Sequence, residues 1–324
     1  LKGAAGHIGN FAAVLFGTMT GSPTASTVTV GSFSIPMMKK TGFTSIFSGA
    51  ITSVSCTGAA LMPPVMGTAA FLMAEMTGIR YIDICKAAIF PAILYFFSCS
   101  LIIYFEASRT GIKALRKDEL PKFVKTIPIG LQYIGPIAVL IILLIMGYSP
   151  ALCAVVSSFL IFLASFFRKV TRMNLKSLVN SLEATAKTSI SVATSCMSAG
   201  IVVGTIVLTG LGGKFASIVV AISHQNLFLA LFLTMIASLI LGMGMPLPVV
   251  YILTAVLCGP AISTLGIPII AAHLFLVYFA CISAVTPPVA VAAYPAAAIA
   301  EDDPVKIGFT GFKYAIAGFI IPYV

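Results

Sequence analysis

Four short stretches carry the residues able to do chemistry. Residues 21–27 read GSPTAST in the middle of an apolar run from Phe11 to Met38, and residues 242–246 read GMGMP inside another from Leu227 to Leu257. Met62-Pro63-Pro64 and Thr286-Pro287-Pro288 interrupt two further runs. Gly21 and Pro23 end a helix and let the chain approach an ion closely. The carbonyls freed there, with the hydroxyls of Ser22, Thr24 and Ser26, suit a hard cation such as Na⁺, which takes oxygen ligands. Free N–H groups at the start of the next helix carry partial positive charge and suit a carboxylate. The facing stretch, with Gly242, Gly244, Met245 and Pro246, offers the same groups from backbone alone. Each Pro-Pro frees carbonyls whose N–H partner proline lacks.

Composition fixes the kind of element that holds these stretches. The 324 residues are 59% hydrophobic and 9% charged, where a soluble domain carries about 25% charged residues. Mean hydropathy is +1.10. Such a chain cannot coat its surface with polar groups, so the bilayer is its solvent, and the reading is an all-α polytopic membrane protein. The long apolar runs lack the alternation of a membrane barrel. The net charge of +10 comes from basic clusters between apolar runs, a pattern of cytoplasmic loops, and implies no nucleic acid. Seven cysteines, at 56, 85, 99, 153, 196, 258 and 281, lie in apolar surroundings without CxxC or a nearby His. They read as small membrane-helix residues, with no transition-metal site and no disulfide framework.

Along the chain, an interrupted hairpin is expected over 10–38, a broken helix over 43–76 and a span over 84–105. A basic loop follows with Arg109, Lys113, Arg116, Lys117, Lys122 and Lys125. Spans over 128–146 and 151–167 flank the tight turn Gly147-Tyr148-Ser149-Pro150, and a second basic loop carries Arg168, Lys169, Arg172 and Lys176. A long segment over 177–211 and a short amphipathic piece, Lys214–Ser223, complete residues 106–225, the linking or scaffold part. A second hairpin over 226–258, a broken helix over 267–300 and a truncated span over 307–324 end the chain. The absence of an initiator Met and the apolar ends predict an excerpt of a longer permease.

Internal repetition organises the whole. Pro36 matches Pro260, Gly42 matches Gly266, and Pro63-Pro64-Val65 matches Pro287-Pro288-Val289, all 224 positions apart. Gly21 matches Gly244 and Pro23 matches Pro246 at 223, and Lys86 matches Lys313 at 227, after the acidic run Glu301-Asp302-Asp303. Residues 1–105 and 226–324 are thus two copies. Placing both basic loops and Lys39-Lys40 in the cytoplasm makes the first hairpin enter from the cytoplasm and the second from outside. That is an inverted repeat with two re-entrant helical hairpins and two broken helices, the architecture of secondary transporters. The step that decides orientation is Lys214–Ser223, too short to cross.

Several ionisable groups lie in or beside the apolar runs. Lys187 either snorkels to the cytoplasmic interface or faces a moving domain. His273 reads as a hydrogen-bonded interface residue. Glu75, Arg80 and Asp83 flank an outside loop, and Lys86 and Lys313 anchor span ends. Met37, Met38, Met62, Met66, Met243 and Met245 are expected around the breaks as adaptable packing.

The runs GSPTAST…IPMMKKTGF…MPPVMGTAAFLMAE, LGMGMPLPVVYILTAVLCGPA and AAHLFLVYFACISAVTPPVAVAAYPAAAIA together resemble the large membrane subunit of TRAP transporters, in particular the fused permeases of the TAXI subclass. The resemblance implies sodium-driven uptake of an organic acid by an elevator motion, not enzymatic turnover, at the cell (inner) membrane. It implies an extracytoplasmic substrate-binding protein and a small four-helix membrane subunit, with Na⁺ as coupling ion and no cofactor. Carried over residue by residue, Gly21, Ser22, Thr24 and Ser26 with Met62, Pro63 and Pro64 form one sodium site. Gly242, Gly244 and Met245 with Thr286 and Pro287 form the other. The substrate lies between the tips, against Ser22, Pro23, Thr24, Pro246 and Thr286. Many members carry a Ser-Gly-Ser type sequence where this chain has Ser22-Pro23-Thr24.

Three rival classes address the same residues. An intramembrane serine protease would need Ser22 beside His273, at different depths in this topology. A channel would need a repeated filter, not two dissimilar tips. A carboxylate or divalent-anion symporter working without a binding protein shares the architecture and is the serious competitor.

Overall fold

The computed structural model describes residues 2–112, 123–166 and 171–324, and these are helical with no strand among them. Lys113, Arg116, Lys117 and Lys122 of the first basic loop, and Arg168 and Lys169 of the second, lie outside the described residues. The chain divides into two compact units: residues 1–79, 83–114 and 198–324, and residues 80–82 and 115–197.

In the first unit, α1 (Ala4–Thr20) and α2 (Pro23–Lys40) form an antiparallel hairpin. A Cβ on Gly6 would lie 3.6 Å from Met38 Sδ and one on Gly9 would lie 3.0 Å from Ser34 Cβ. Nearer the tip, Ala13 packs with Val30. The interruption is two residues long, Gly21 and Ser22, where a break over 21–24 was expected. Ser22 caps α2 by accepting from Ala25 N (3.3 Å) and Pro23 occupies the first helical position, so Thr24 to Thr27 are already helix. The hairpin also starts earlier than residue 10. Met37 and Met38 sit at its open end, away from the break.

α3 (Ser45–Ala59) is buried from Phe47 to Ala59 and forms the centre of this unit. It ends in tightened turns (Leu61 N→Gly58 O 3.0 Å, Met62 N→Ala59 O 3.1 Å), and α4 (Gly67–Thr77) resumes after the cis Pro63–Pro64 bond. α5 (Tyr81–Arg109) is a 29-residue helix that begins in the second unit and continues through the first.

The second copy repeats the plan. α10 (Leu227–Leu241) and α11 (Leu247–Ser263) pack together across residues 242–246. α12 (Ile269–Ile282) runs into a 3₁₀ turn at Ser283–Val285, a cis Pro287–Pro288 bond and α13 (Ala293–Ala300). The backbone echoes the first copy position by position: Gly42 and Gly266, Met66 and Ala290, and Gly21 and Gly244 all have positive φ. Asp303 caps α14 (Pro304–Tyr314), accepting from Val305 N at 2.8 Å. The expected last span is not straight: α14 bends by 52° at Ala315 into α15 (Ile316–Ile320) and a final turn.

Between the copies lie α6 (Phe123–Ile145), α7 (Pro150–Ser165), α8 (Leu175–Thr209) and α9 (Leu211–Ser223). In the second unit α6 and α7 pack as a pair across Gly147–Ser149, where Tyr148 N returns to Leu143 O (3.1 Å) and Ser149 Oγ accepts from Leu152 N. The expected span from 177 is the 35-residue α8. The short piece Lys214–Ser223 is the second part of the 13-residue α9. Among the described residues, Tyr81–Arg109 and Leu175–Thr209 are individually long and apolar enough to cross a membrane, and the bent pair ending in Tyr323 is a third candidate. Six apolar helices among the described residues fall short of that length, including Ile134–Ile145 and Pro150–Ser165 where spans over 128–146 and 151–167 were expected.

Two contacts fix how the copies lie within the first unit. Cys281 Sγ donates to Thr57 O (2.9 Å) across 224 positions, so two equivalent residues touch. At the other end of α3, a Cβ on Gly49 would lie 3.5 Å from Ala300 Cβ. As α3 advances from 49 to 57, its neighbour therefore recedes from 300 to 281. Helix α3 thus runs antiparallel to the stretch from α12 to α13.

Candidate functional site

Each hairpin tip is seated on the broken helix of its own copy. At the first, a Cβ on Gly21 would collide with Gly67 Cα, and one on Gly67 would lie 2.5 Å from Gly21 Cα. Both glycines have positive φ (58° and 66°), which lets the backbones meet without side chains. At the second, a methyl on Gly242 would collide with the Ser283 hydroxyl, and Ser283 Oγ donates to Gly242 O at 3.2 Å. Val289 approaches Gly244. Gly67 and Ser283 are site neighbours that the sequence reading passed over. The available signal was a small residue flanking each break.

At the first tip, α1 stops at Thr20 and Gly21 N returns to Gly17 O (3.1 Å). The later carbonyls of α1 have no downstream helix to pair with. Ser26 is fully buried and its hydroxyl shares a 2.6 Å hydrogen bond with Thr20 Oγ1. Pro23 is buried, and its carbonyl accepts from Thr27 Oγ1 (2.8 Å). Ser22 is half-buried, whereas Thr24 points to the exposed side. Met62, Pro63 and Pro64 are half-buried, and Cys85 Sγ donates to Pro64 O at 3.4 Å.

The second tip is built from backbone. Gly242 is buried, Gly244 and Pro246 are exposed, and Met245 packs beside Val249 and Leu253. Pro246 precedes α11 without a side-chain cap, and its carbonyl accepts from Val249 N (3.0 Å) and Val250 N (3.2 Å), so the positive end of that helix faces the tip with Leu247 N–H as its first donor. Thr286 is 7% exposed, and its hydroxyl donates to Ile282 O (2.9 Å), leaving oxygen lone pairs over. Pro287 beside it is half-buried. No hydrogen bond among the described residues links 21–26 with 242–248. The element they share is α4, which packs on both α1 and α11.

No three His, Cys, Asp or Glu side chains converge among the described residues. A cation at either tip would be held by carbonyl and hydroxyl oxygens, a donor set suited to a hard ion. His273 pairs with Tyr251 (Nδ1 to OH, 2.8 Å), and Ser22 is committed to its cap, so the pair forms no nucleophile and base. Lys187 is ion-paired with Glu183 at 2.6 Å on an exposed face of α8. Glu75, Arg80 and Lys313 are exposed, and Lys86 reaches Asp83 at 3.4 Å.

The described residues form apolar helices, two pairs of them hairpins and two stretches broken at proline pairs, the makeup of a helical membrane protein. The chain belongs to the family of the tripartite ATP-independent periplasmic transporter, DctM component, whose profile matches residues 1–324. That family consists of transport permeases rather than enzymes. The chain is 26% identical over 299 residues to a putative TRAP transporter large permease protein of Haemophilus influenzae, covering 89% of this chain and 67% of that one. It is 23% identical over 296 residues to the sialic acid TRAP transporter large permease protein SiaM of Vibrio cholerae, covering 91% and 68%.

Proposed function

We propose that the protein carries a carboxylate substrate across the cytoplasmic membrane, coupled to Na⁺, with the two tip-and-break pairs as its ion and substrate sites. The carrying observation is the seating of each hairpin tip on the broken helix of its own copy, at Gly21–Gly67 and Gly242–Ser283. Oxygen ligands without carboxylates at the tips suit Na⁺. The positive end of the α11 dipole at the second tip suits an anionic group.

The inverted repeat has its support in the antiparallel run of α3 and the stretch from α12 to α13. Lys39 Nζ, at the open end of the first hairpin, donates to Ala300 O at the end of the second broken helix (2.8 Å). Opposite orientations put both ends on one side of the membrane, and parallel copies would separate them. In this reading the hairpins are re-entrant and the unit that holds all four interruptions is the moving body of an elevator. The substrate is delivered by an extracytoplasmic binding protein, and a small four-helix membrane subunit completes the transporter. The Vibrio relative's name specifies sialic acid; for this chain the class is an organic acid.

Uptake into proteoliposomes is the test. Accumulation should require both an inward Na⁺ gradient and added binding protein. Accumulation without the binding protein assigns the chain to a self-sufficient carboxylate or divalent-anion symporter, and indifference to Na⁺ overturns the coupling.

A further inference from the structure

Between α1 and α5 runs a groove of about 460 Å³ lined by His7, Asn10, Phe11 and Val14 on one helix and Ile93, Phe96, Phe97 and Ser100 on the other, with Met62 of the first break also in its wall. Both sets have helical i, i+3, i+4, i+7 spacing, so each is one continuous face. The helices run in opposite directions there: Gly3 abuts Ala107, whereas Asn10 Nδ2 donates to Phe96 O (3.3 Å) and to Ser100 Oγ (3.0 Å). The polar residues of both faces therefore lie at one end, and Val14, Ile93 and Met62 at the other. His7 Nε2 is buried without a hydrogen-bond partner at the polar end. Phe11 and Phe97 remain 64% and 60% exposed along the walls.

Beyond the polar end the surface is cationic. Gly3 abuts Ile103 and Ala107 of α5, and Gly6 abuts Met38 of α2, so the start of α1 and the end of α2 share this end of the unit. Lys2 and Lys40 are exposed there. Two other cations at this end are already engaged, Lys39 by Ala300 O and Arg109 by Glu106 (2.8 Å).

We propose that this groove binds an anionic phospholipid, with an acyl chain along Phe11, Val14, Ile93 and Phe97 and the headgroup against Lys2 and Lys40. The charge and the apolar length are arranged end to end, as in an amphiphile. A partner helix fits less well, because one helical turn occupies about 400–600 Å³ and the groove spans two turns of α1 in about that volume. Each lysine near an anionic surface favours binding by about fivefold. The proposal does not rest on Na⁺ coupling, and its test involves no transport.

The chain contains no tryptophan, so a single Phe97→Trp gives one indole in the groove, with Phe11→Trp as a second reporter. The full chain is reconstituted in vesicles containing brominated phosphatidylglycerol or brominated phosphatidylcholine at equal mole fraction. Groove fluorescence should be quenched by the anionic lipid at about one fifth of the concentration the zwitterionic lipid needs, or less. Lys2→Gln with Lys40→Gln should abolish that preference. A Phe228→Trp reporter, on an exposed α10 position, should show none. Equal quenching by both lipids in the groove reporters would reduce the site to ordinary annular contact and overturn the proposal. So would an absence of quenching, which would mean that protein covers the groove.

Discussion

Thr57 and Cys281 occupy the same place in two copies of one motif, and the Cys281 thiol donates to the Thr57 carbonyl at 2.9 Å. Helices α3 and α12 therefore touch at positions 224 residues apart. Around that point sit Tyr95, whose hydroxyl donates to Val54 O (2.9 Å), and Tyr278, with its ring 6.4 Å from that of Tyr95.

Gly67→Ala should separate the first tip from its break. The new methyl meets Gly21 backbone and the φ of 66° is unfavourable for alanine, which together cost about 1–3 kcal/mol. The thermal midpoint in detergent should fall and Na⁺-driven uptake should drop by more than tenfold. Gly78→Ala serves as control, because its φ is equally positive (69°) but nothing lies within 4 Å; it should lose stability with far less effect on uptake.

Ser26→Ala and Thr286→Ala remove one buried hydroxyl from each proposed ion site. Each should raise the Na⁺ concentration for half-maximal uptake by about three- to thirtyfold, the equivalent of one lost hydrogen bond or ligand. Unchanged Na⁺ dependence in both would remove the side chains from the ion sites.

Asn10 bridges three helices, since it also accepts from Ser55 Oγ at 2.7 Å. Asn10→Ala leaves the buried Ser55 hydroxyl without this partner and should destabilise the fold by about 1–3 kcal/mol. Asn10→Leu, which restores volume but not the bonds, should recover little of it. Chemical or thermal unfolding in micelles measures both.

Lys39→Gln weakens the charge-assisted bond to Ala300 O, at the negative end of α13. The expected loss is about 0.5–2 kcal/mol. A Cys pair at positions 39 and 300, in a background lacking the native cysteines, should cross-link through a short bifunctional reagent. Failure to cross-link would contradict the proposed inverted repeat.

Much of the architecture was legible in the residues alone. Low charge and long apolar runs dictate membrane helices, because unpaired backbone in lipid is too costly for anything open. Proline and glycine act on their own peptide units, so Gly21, Pro63-Pro64, Gly242 to Pro246 and Pro287-Pro288 announced the interruptions, and their spacing announced the repeat. Even so, GSPTAST looked like a break over residues 21–24, whereas Ser22 and Pro23 together restart the helix after two. Capping competes with helix breaking within a few residues, and composition does not rank the two.

Pairwise contacts between distant residues were decided only in three dimensions. Nothing local to Gly67 says that it meets Gly21, nor does anything near Thr57 say that it touches Cys281. The groove between α1 and α5 likewise exists only once two apolar faces, eighty residues apart, are set side by side with their polar ends aligned. Hydropathy and backbone preference are properties of single residues and short segments, and sequence carries them directly; close approach is a property of pairs, and packing alone assigns it.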